Sequence, residues 1–296
     1  MRIPAGIEWC ARMPGGAQWL ASLPSIVEMC AERWTLRVGE PFEGANVSLV
    51  VPVLLADGVD AVLKINYPEP ESETEAEALR FWGGRGAVRI VAEDKEVRAL
   101  LVERCIPGSQ LWAVEDDEEA TRVGAVVLGR LWRRAPDDHP FRLLEDVTTS
   151  WAGELPADWE AIGRPFERGL LDEAVASCVE LGPNQGEQVV LHQDFHGGNV
   201  LRAEREPWLA IDPKPLVGER EFDAASLLRD RRWLLGGACD AVRIRRRLDL
   251  LCAEFELDRE RMRRWGIAHA LAWGVSGGKL EGDMIECARL LLAARS

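Results

Sequence analysis

The sequence predicts an α+β fold in two lobes, a small β-rich N-terminal lobe and a larger, mostly helical C-terminal lobe. Three observations predict it. Val- and Leu-rich runs with turn signals between them fill the stretch from about residue 46 to residue 103, as strands do. Helical spacing dominates after "IPGSQL", where Pro107 and Gly108 break the last strand. The chain has 296 residues and is 47% hydrophobic, enough to bury a sizeable core in one large or two smaller units. The lobes are assigned to residues 1–103 and 104–296.

Residues 1–40 read as largely helical, with Ile26, Val27, Cys30 and Trp34 at helical spacing. "NVSLVVPVLLADGVDAVLKINY" reads as two strands joined by a hairpin around Asp57 and Gly58. "ETEAEALRFWGG" reads as a helix closed by Gly83 and Gly84. "AVRIVAED" and "VRALLVERC" supply two further strands. "DDEEATRVGAVVLGRLWRR" begins with acids and ends with arginines, which complements a helix dipole, and Val123, Val126, Val127 and Leu131 form its apolar face. The Arg-rich stretches "RIRRRLDLL" and "RERMRRW" read as solvated helix faces. The tail reads as two packed helices with a glycine-bearing break.

The formal net charge is −14. That argues against general nucleic-acid binding, which needs a concentrated basic surface. It suits a cationic small substrate, and it suits simple solubility equally well. The seven cysteines are scattered without C-x-x-C spacing, the pattern of buried free thiols in a reducing compartment. No apolar run is long enough to span a bilayer, and the N-terminus lacks the apolar centre of a signal peptide. The expectation is a cytoplasmic monomer without membrane or nucleic-acid partners.

The chemistry concentrates in "LHQDFHGGNVL", Leu191 to Leu201. His192 and His196 are four apart, as in a zinc-binding H-E-x-x-H helix, but no glutamate follows His192 and Gly197-Gly198 would weaken the helix. No G-x-S-x-G marks a hydrolase serine. Asp194 and Asn199 have the D-x-x-x-x-N spacing of a phosphotransferase catalytic loop. There the aspartate orients the attacking hydroxyl and the asparagine binds magnesium. Downstream, "WLAIDPKP" ends an apolar run at Asp212, and two strands joined by "RAEREP" would bring Asp212 beside Asn199. A carboxylate and an amide oxygen at one point suit magnesium. Upstream, "AVLKI" puts Lys64 on an apolar strand, where it would pair with nucleotide phosphates and a helix glutamate. Glu75 is preferred, because Leu79 and Trp82 follow it at i+4 and i+7; Glu77 is the rival.

Taken together, "LHQDFHGGNVL", "WLAIDPKPLVGEREFDAASLLRDR", "AVLKI" and "LLVERCIPG" resemble the aminoglycoside phosphotransferase family, of protein-kinase-like fold, on its streptomycin 6-kinase and hydroxyurea phosphotransferase branch. The resemblance implies Asp194 as the catalytic aspartate, Asn199 and Asp212 as magnesium ligands, and Lys64 with Glu75 on the phosphates of ATP. It implies that Glu103, Arg104 and Cys105 form the adenine-binding hinge. "EGANVSLVVPV" would cover the nucleotide with Ser48 near phosphate, although it lacks a G-x-G-x-x-G pattern. Gln193 stands where the family commonly has glycine. His196, Glu219, Trp273 and Glu281 are candidates for an acceptor pocket in the C-terminal lobe, with Trp265 beside Trp273. Asp223 reads first as support for the loop.

The expected activity is ATP- and Mg2+-dependent transfer of a phosphoryl group to a small hydroxyl compound of aminoglycoside, streptomycin or hydroxyurea type, with a resistance role. The alternatives are a kinase of an amino sugar or other metabolite, a pseudokinase that binds nucleotide without turnover, and a histidine metalloprotein.

Overall fold

Strand β3 (Asp60–Asn66) is the axis of the first part of the chain. It pairs antiparallel with β2 (Ser48–Leu54) in the register Val50↔Lys64 and with β5 (Ala99–Glu103) in the register Lys64↔Leu100. The β2–β3 turn is the expected one: Gly58 has φ +85° and the Asp57 carboxylate accepts from the Val59 amide at 3.1 Å. With β1 (Arg37–Val38) and β4 (Ile90–Asp94) the sheet has five strands in the order β1-β2-β3-β5-β4. Period-two alternation sends Leu63 and Ile65 into a core with Leu49 and Val51, and turns Lys64 to the other face. Helix α1 (Gly16–Trp34) closes that core with Leu23, Val27 and Cys30. Helix α2 (Glu75–Trp82) ends where Gly83 takes φ +58° and its amide caps the Leu79 carbonyl.

The computed structural model describes residues 1–230, 240–276 and 278–295. These residues fall into two compact units, Met1–Gly108 and the part that begins at Ser109. In the second unit β6 (Arg142–Leu143), β10 (Leu216–Glu219) and β7 (Gln188–Leu191) form one small sheet, and β8 (Val200–Arg202) pairs with β9 (Trp208–Ala210) in another. Seven helices are described around them: α3 (Asp117–Leu131), α4 (Leu144–Ala161), α5 (Arg168–Leu181), α6 (Arg220–Leu228), α7 (Ala241–Phe255), α8 (Arg259–Gly274) and α9 (Gly282–Ala293). Helix α8 is central, packing on α5, α6 and α9. The short hairpin of β11 (Val275–Ser276) and β12 (Lys279–Leu280) is the break between the tail helices.

Two expectations are corrected. The buried face of α3 runs through Gly124, Val127, Leu128 and Leu131, and Val126 is exposed. Gly124 sets that face, since a Cβ there would lie 3.0 Å from Leu227 of α6. The Arg-rich helices are also not purely solvated. Arg247 is buried against Asp117, and Arg263 is buried with Glu260 and the Leu291 carbonyl. Their apolar stems fill the core while the guanidinium groups find acceptors. Among the described residues, Cys10, Cys30, Cys105, Cys178, Cys252 and Cys287 are buried free thiols; Cys239 lies outside the described residues. No helix among the described residues is long and apolar enough to cross a membrane.

Candidate active site

Two clusters of buried polar groups, one in each unit, contain the residues singled out from the sequence. In the first, the Lys64 Nζ lies 2.6 and 2.7 Å from the two oxygens of Glu75. Both residues are buried. The Asn66 amide donates to Glu75 Oε2 at 2.7 Å, so β3 presents two polar partners, at i and i+2, to the first turn of α2. Sequence reasoning missed Asn66, although the strand period places it on the Lys64 face. The rivalry between the glutamates is resolved as well. Glu77 pairs with the exposed Lys95 at 2.6 Å.

In the second unit, the loop after β7 is gripped from two sides. Asp223, fully buried on α6, accepts from the His192 amide at 3.0 Å and the Gln193 amide at 2.8 Å, and from Trp132 Nε1 at 3.0 Å. Asp230 accepts from the Gly197 amide and from Trp112 Nε1. The Trp112 ring stacks on His196, 5.1 Å between centroids and 13° from parallel. This explains the glycine pair. A Cβ on Gly197 would lie 2.5 Å from the Trp112 ring and one on Gly198 would lie 2.8 Å from it. The pair makes room for an indole, and neither glycine has a positive φ. Gln193 does, at +65°, and that left-handed conformation is the reason a glycine suits the position.

Asp212 is brought to this loop from two directions. The Ile211 amide donates to the Asn199 carbonyl at 2.9 Å, and the Lys214 amide donates to the His192 carbonyl at 3.0 Å. The β8–β9 ladder supplies the approach, with Val200 opposite Ala210. Asn199 spends its Nδ2 on the Asp194 carbonyl at 3.0 Å, which leaves the amide oxygen as its acceptor end. A carboxylate and an amide oxygen are hard donors that fit magnesium. The histidines are used otherwise. Burial pushes the His192 imidazole down to about 4, so it is neutral and donates from Nε2 to the Ile211 carbonyl at 3.0 Å. His196 Nδ1 accepts from the Gly198 amide at 3.0 Å. Among the described residues, no group of three or more His, Cys, Asp or Glu side chains is arranged to hold a metal.

The electrostatics centre on Asp194. Burial alone would raise its carboxyl, but His196, Lys214 and Arg229 outweigh burial and hold it well below the usual carboxylate range. Arg229 Nη2 donates to Asp194 Oδ1 at 3.1 Å. Sequence reasoning missed Arg229, Asp230 and Trp112, which have no local motif.

The remaining candidates fall in several places. Ser48 is the buried first residue of β2. Glu103 closes β5; its amide donates to the Arg89 carbonyl at 2.8 Å and its carboxylate accepts from the Arg89 amide at 2.9 Å. Arg104 pairs with Asp60 at 2.5 Å, and Cys105 is buried. Trp273 lies parallel to His269, 4.3 Å between centroids, under the Arg229 guanidinium. Glu281 is the N-cap residue of α9. Glu219 takes a different place from the one expected. It is 1% exposed and accepts from Trp265 Nε1, from Arg261 Nε at 2.8 Å and from the Gly186 amide at 3.0 Å. These donors saturate both its oxygens, so Glu219 and the fully buried Trp265 belong to the core.

Comparison with known proteins decides the family. Residues 33–279 match the family described as aminoglycoside/hydroxyurea antibiotic resistance kinase. The chain belongs to this family. It is 40% identical over 259 residues to a streptomycin 6-kinase of Streptomyces griseus, covering 86% of this chain and 83% of that one. It is 39% identical over 258 residues to a hydroxyurea phosphotransferase of Kitasatospora aureofaciens, covering 84% of this chain and 72% of that one. The fold is also that of a solved aminoglycoside phosphotransferase, with TM-score 0.62 at 14% identity over 92% of this chain and 98% of that one. The antibiotic resistance kinase family is thus one of small-molecule phosphotransferases, and this chain is an enzyme of that class.

Proposed function

We propose that the chain transfers the γ-phosphoryl group of ATP to a hydroxyl of an aminoglycoside-like acceptor, with streptomycin as the leading candidate and hydroxyurea next. The observation that carries the reading is Asp194. It is held ionised, in a loop whose Asn199 amide and neighbouring Asp212 can take a divalent cation. In this reading Asp194 orients the acceptor hydroxyl in line with the γ-phosphorus and receives its proton. The acceptor O–P bond forms as the bond from phosphorus to the β–γ bridging oxygen breaks, and ADP leaves with the electron pair. Lys64, fixed by Glu75 and Asn66, holds the α- and β-phosphates, while Ser48 and the 103–105 segment serve the nucleotide. Mg2+, held by Asn199 and Asp212, would supply charge neutralisation on the phosphates. Transfer gains mostly from such positioning and electrostatics.

ADP release with streptomycin, hydroxyurea, an amino sugar and no acceptor tests the reading. Acceptor-dependent release with streptomycin supports it. Release with the amino sugar alone moves the acceptor class and keeps the kinase. Nucleotide binding without turnover across the panel would favour the pseudokinase alternative.

A further inference from the structure

Arg229 lies against Asp194, His269 and Trp273 lie against Arg229, and none of the three has a part in the reaction as described so far. Arg229 follows the last turn of α6 and is 3% exposed. A guanidinium taken this far from water is tolerable only if its donors are matched. Three different partners engage it. Nη2 donates to Asp194 Oδ1 at 3.1 Å, Nε donates to His269 Nδ1 at 2.5 Å, and Cζ stands 4.5 Å from the centre of the Trp273 ring. His269 is fully buried on α8 and stacks on Trp273, which meets Trp151 edge-on at 5.4 Å. The guanidinium therefore cannot rotate without losing an acceptor or the stack. A lysine could not reproduce this, because one ammonium cannot bond two acceptors in fixed directions and cover an indole.

The contact with Asp194 is one-sided. Oδ1 takes the Arg229 bond, whereas Oδ2 has His196 Nε2 at 3.9 Å, beyond hydrogen-bond reach. A carboxylate bonded at one oxygen has its plane fixed and its other oxygen left for an incoming donor. We propose that Arg229, locked by His269 and Trp273, is a positioning residue that fixes the Asp194 carboxylate through Oδ1 and presents Oδ2 to the acceptor hydroxyl. This rests on Asp194 as the group that receives that hydroxyl.

Steady-state kinetics with ATP and streptomycin test it, comparing wild type with Arg229→Gln, Arg229→Lys, His269→Gln and Asp194→Asn. Misplacing a reacting group costs on the order of 100-fold, so kcat of Arg229→Gln is expected to fall by about that factor while KM for ATP stays within about threefold. Arg229→Lys, keeping the charge without the lock, is expected to recover roughly tenfold of the loss, and His269→Gln to lose roughly tenfold from wild type. A purely structural role would lower the melting temperature and leave kcat per folded molecule unchanged. Near-normal kcat in Arg229→Gln beside an inactive Asp194→Asn overturns the inference and spares Asp194. An active Asp194→Asn overturns the reading of Asp194 itself. Should Arg229→Gln fail to fold, a wild-type kcat in His269→Gln has the same force against the inference. Crystal structures of wild type and Arg229→Lys give an acceptor-free readout: a changed Asp194 carboxylate orientation supports the inference, and an unchanged one contradicts it.

Discussion

Lys64 and Asp194 are both charges drawn into the fold, and they are satisfied from very different distances along the chain. Lys64 meets Glu75, eleven residues on, and Glu75 meets Asn66 from the same strand as the lysine. Asp194 is bonded by Arg229, 35 residues on, and its loop is tied by Asp223 and Asp230, 30 to 33 residues from the amides they accept. The first cluster is a local strand-to-helix pairing. The second exists only once α6 and α8 are in place. The lysine proposed to hold the nucleotide is thus stabilised by its own supersecondary unit, whereas the group proposed to meet the acceptor depends on the packing of a whole helical layer.

The largest effect should come from the second cluster. Removing the carboxylate in Asp194→Ala is expected to lower turnover by at least ~100-fold, the usual size of a general-base contribution, measured as ADP release at saturating ATP. In the first cluster, Glu75→Gln leaves Lys64 buried beside a neutral partner. Breaking a buried pair from one side costs about 3–5 kcal/mol, to be read by denaturant unfolding together with a raised KM for ATP. The control is Glu77→Gln, whose partner Lys95 is largely exposed; surface pairs of this kind contribute under about 1 kcal/mol, and ATP kinetics should not change.

A pH dependence separates the clusters further. Burial lifts the Asp223 carboxyl to about 6, against the His192 and Gln193 amides and the Trp132 indole that lower it. The folded chain therefore binds this proton more tightly than the unfolded chain does. Its contribution stabilises the fold below the ordinary carboxylate range and is lost as pH rises through about 6. The loss is on the order of 2–3 kcal/mol. Unfolding free energies at pH 4 and pH 7 should differ less by roughly this amount in Asp223→Asn, which cannot titrate. The smallest effect is at Gln193. Replacing it with glycine relieves a left-handed backbone at the cost of chain entropy, so stability should change by less than about 1 kcal/mol by thermal melting.

This contrast also explains what the sequence made legible. The β2–β3 hairpin, the Lys64 strand, the 75–82 helix and the approach of Asp212 to Asn199 follow from short-range periodicity and turn residues, and all were readable. Asp194 and Asn199 were readable from their spacing. The glycine pair was noticed only as unfavourable to a helix, because its purpose is the Trp112 ring, more than eighty positions away in the chain. Glu219 was a candidate for an acceptor pocket, and nothing near it in sequence announces Arg261 and Trp265 as its partners. Arg229 and His269 are single letters on unremarkable helices, and only helix packing gives them an acid to hold.

In the proposed reaction this family member moves phosphate from ATP to the hydroxyl of a small, streptomycin-like acceptor. Phosphorus NMR of the wild-type enzyme with ATP, Mg2+ and streptomycin tests it most directly. ADP is expected together with a new phosphomonoester resonance that couples to a sugar or cyclitol proton. ATP left intact, or converted only to ADP and inorganic phosphate, would contradict it.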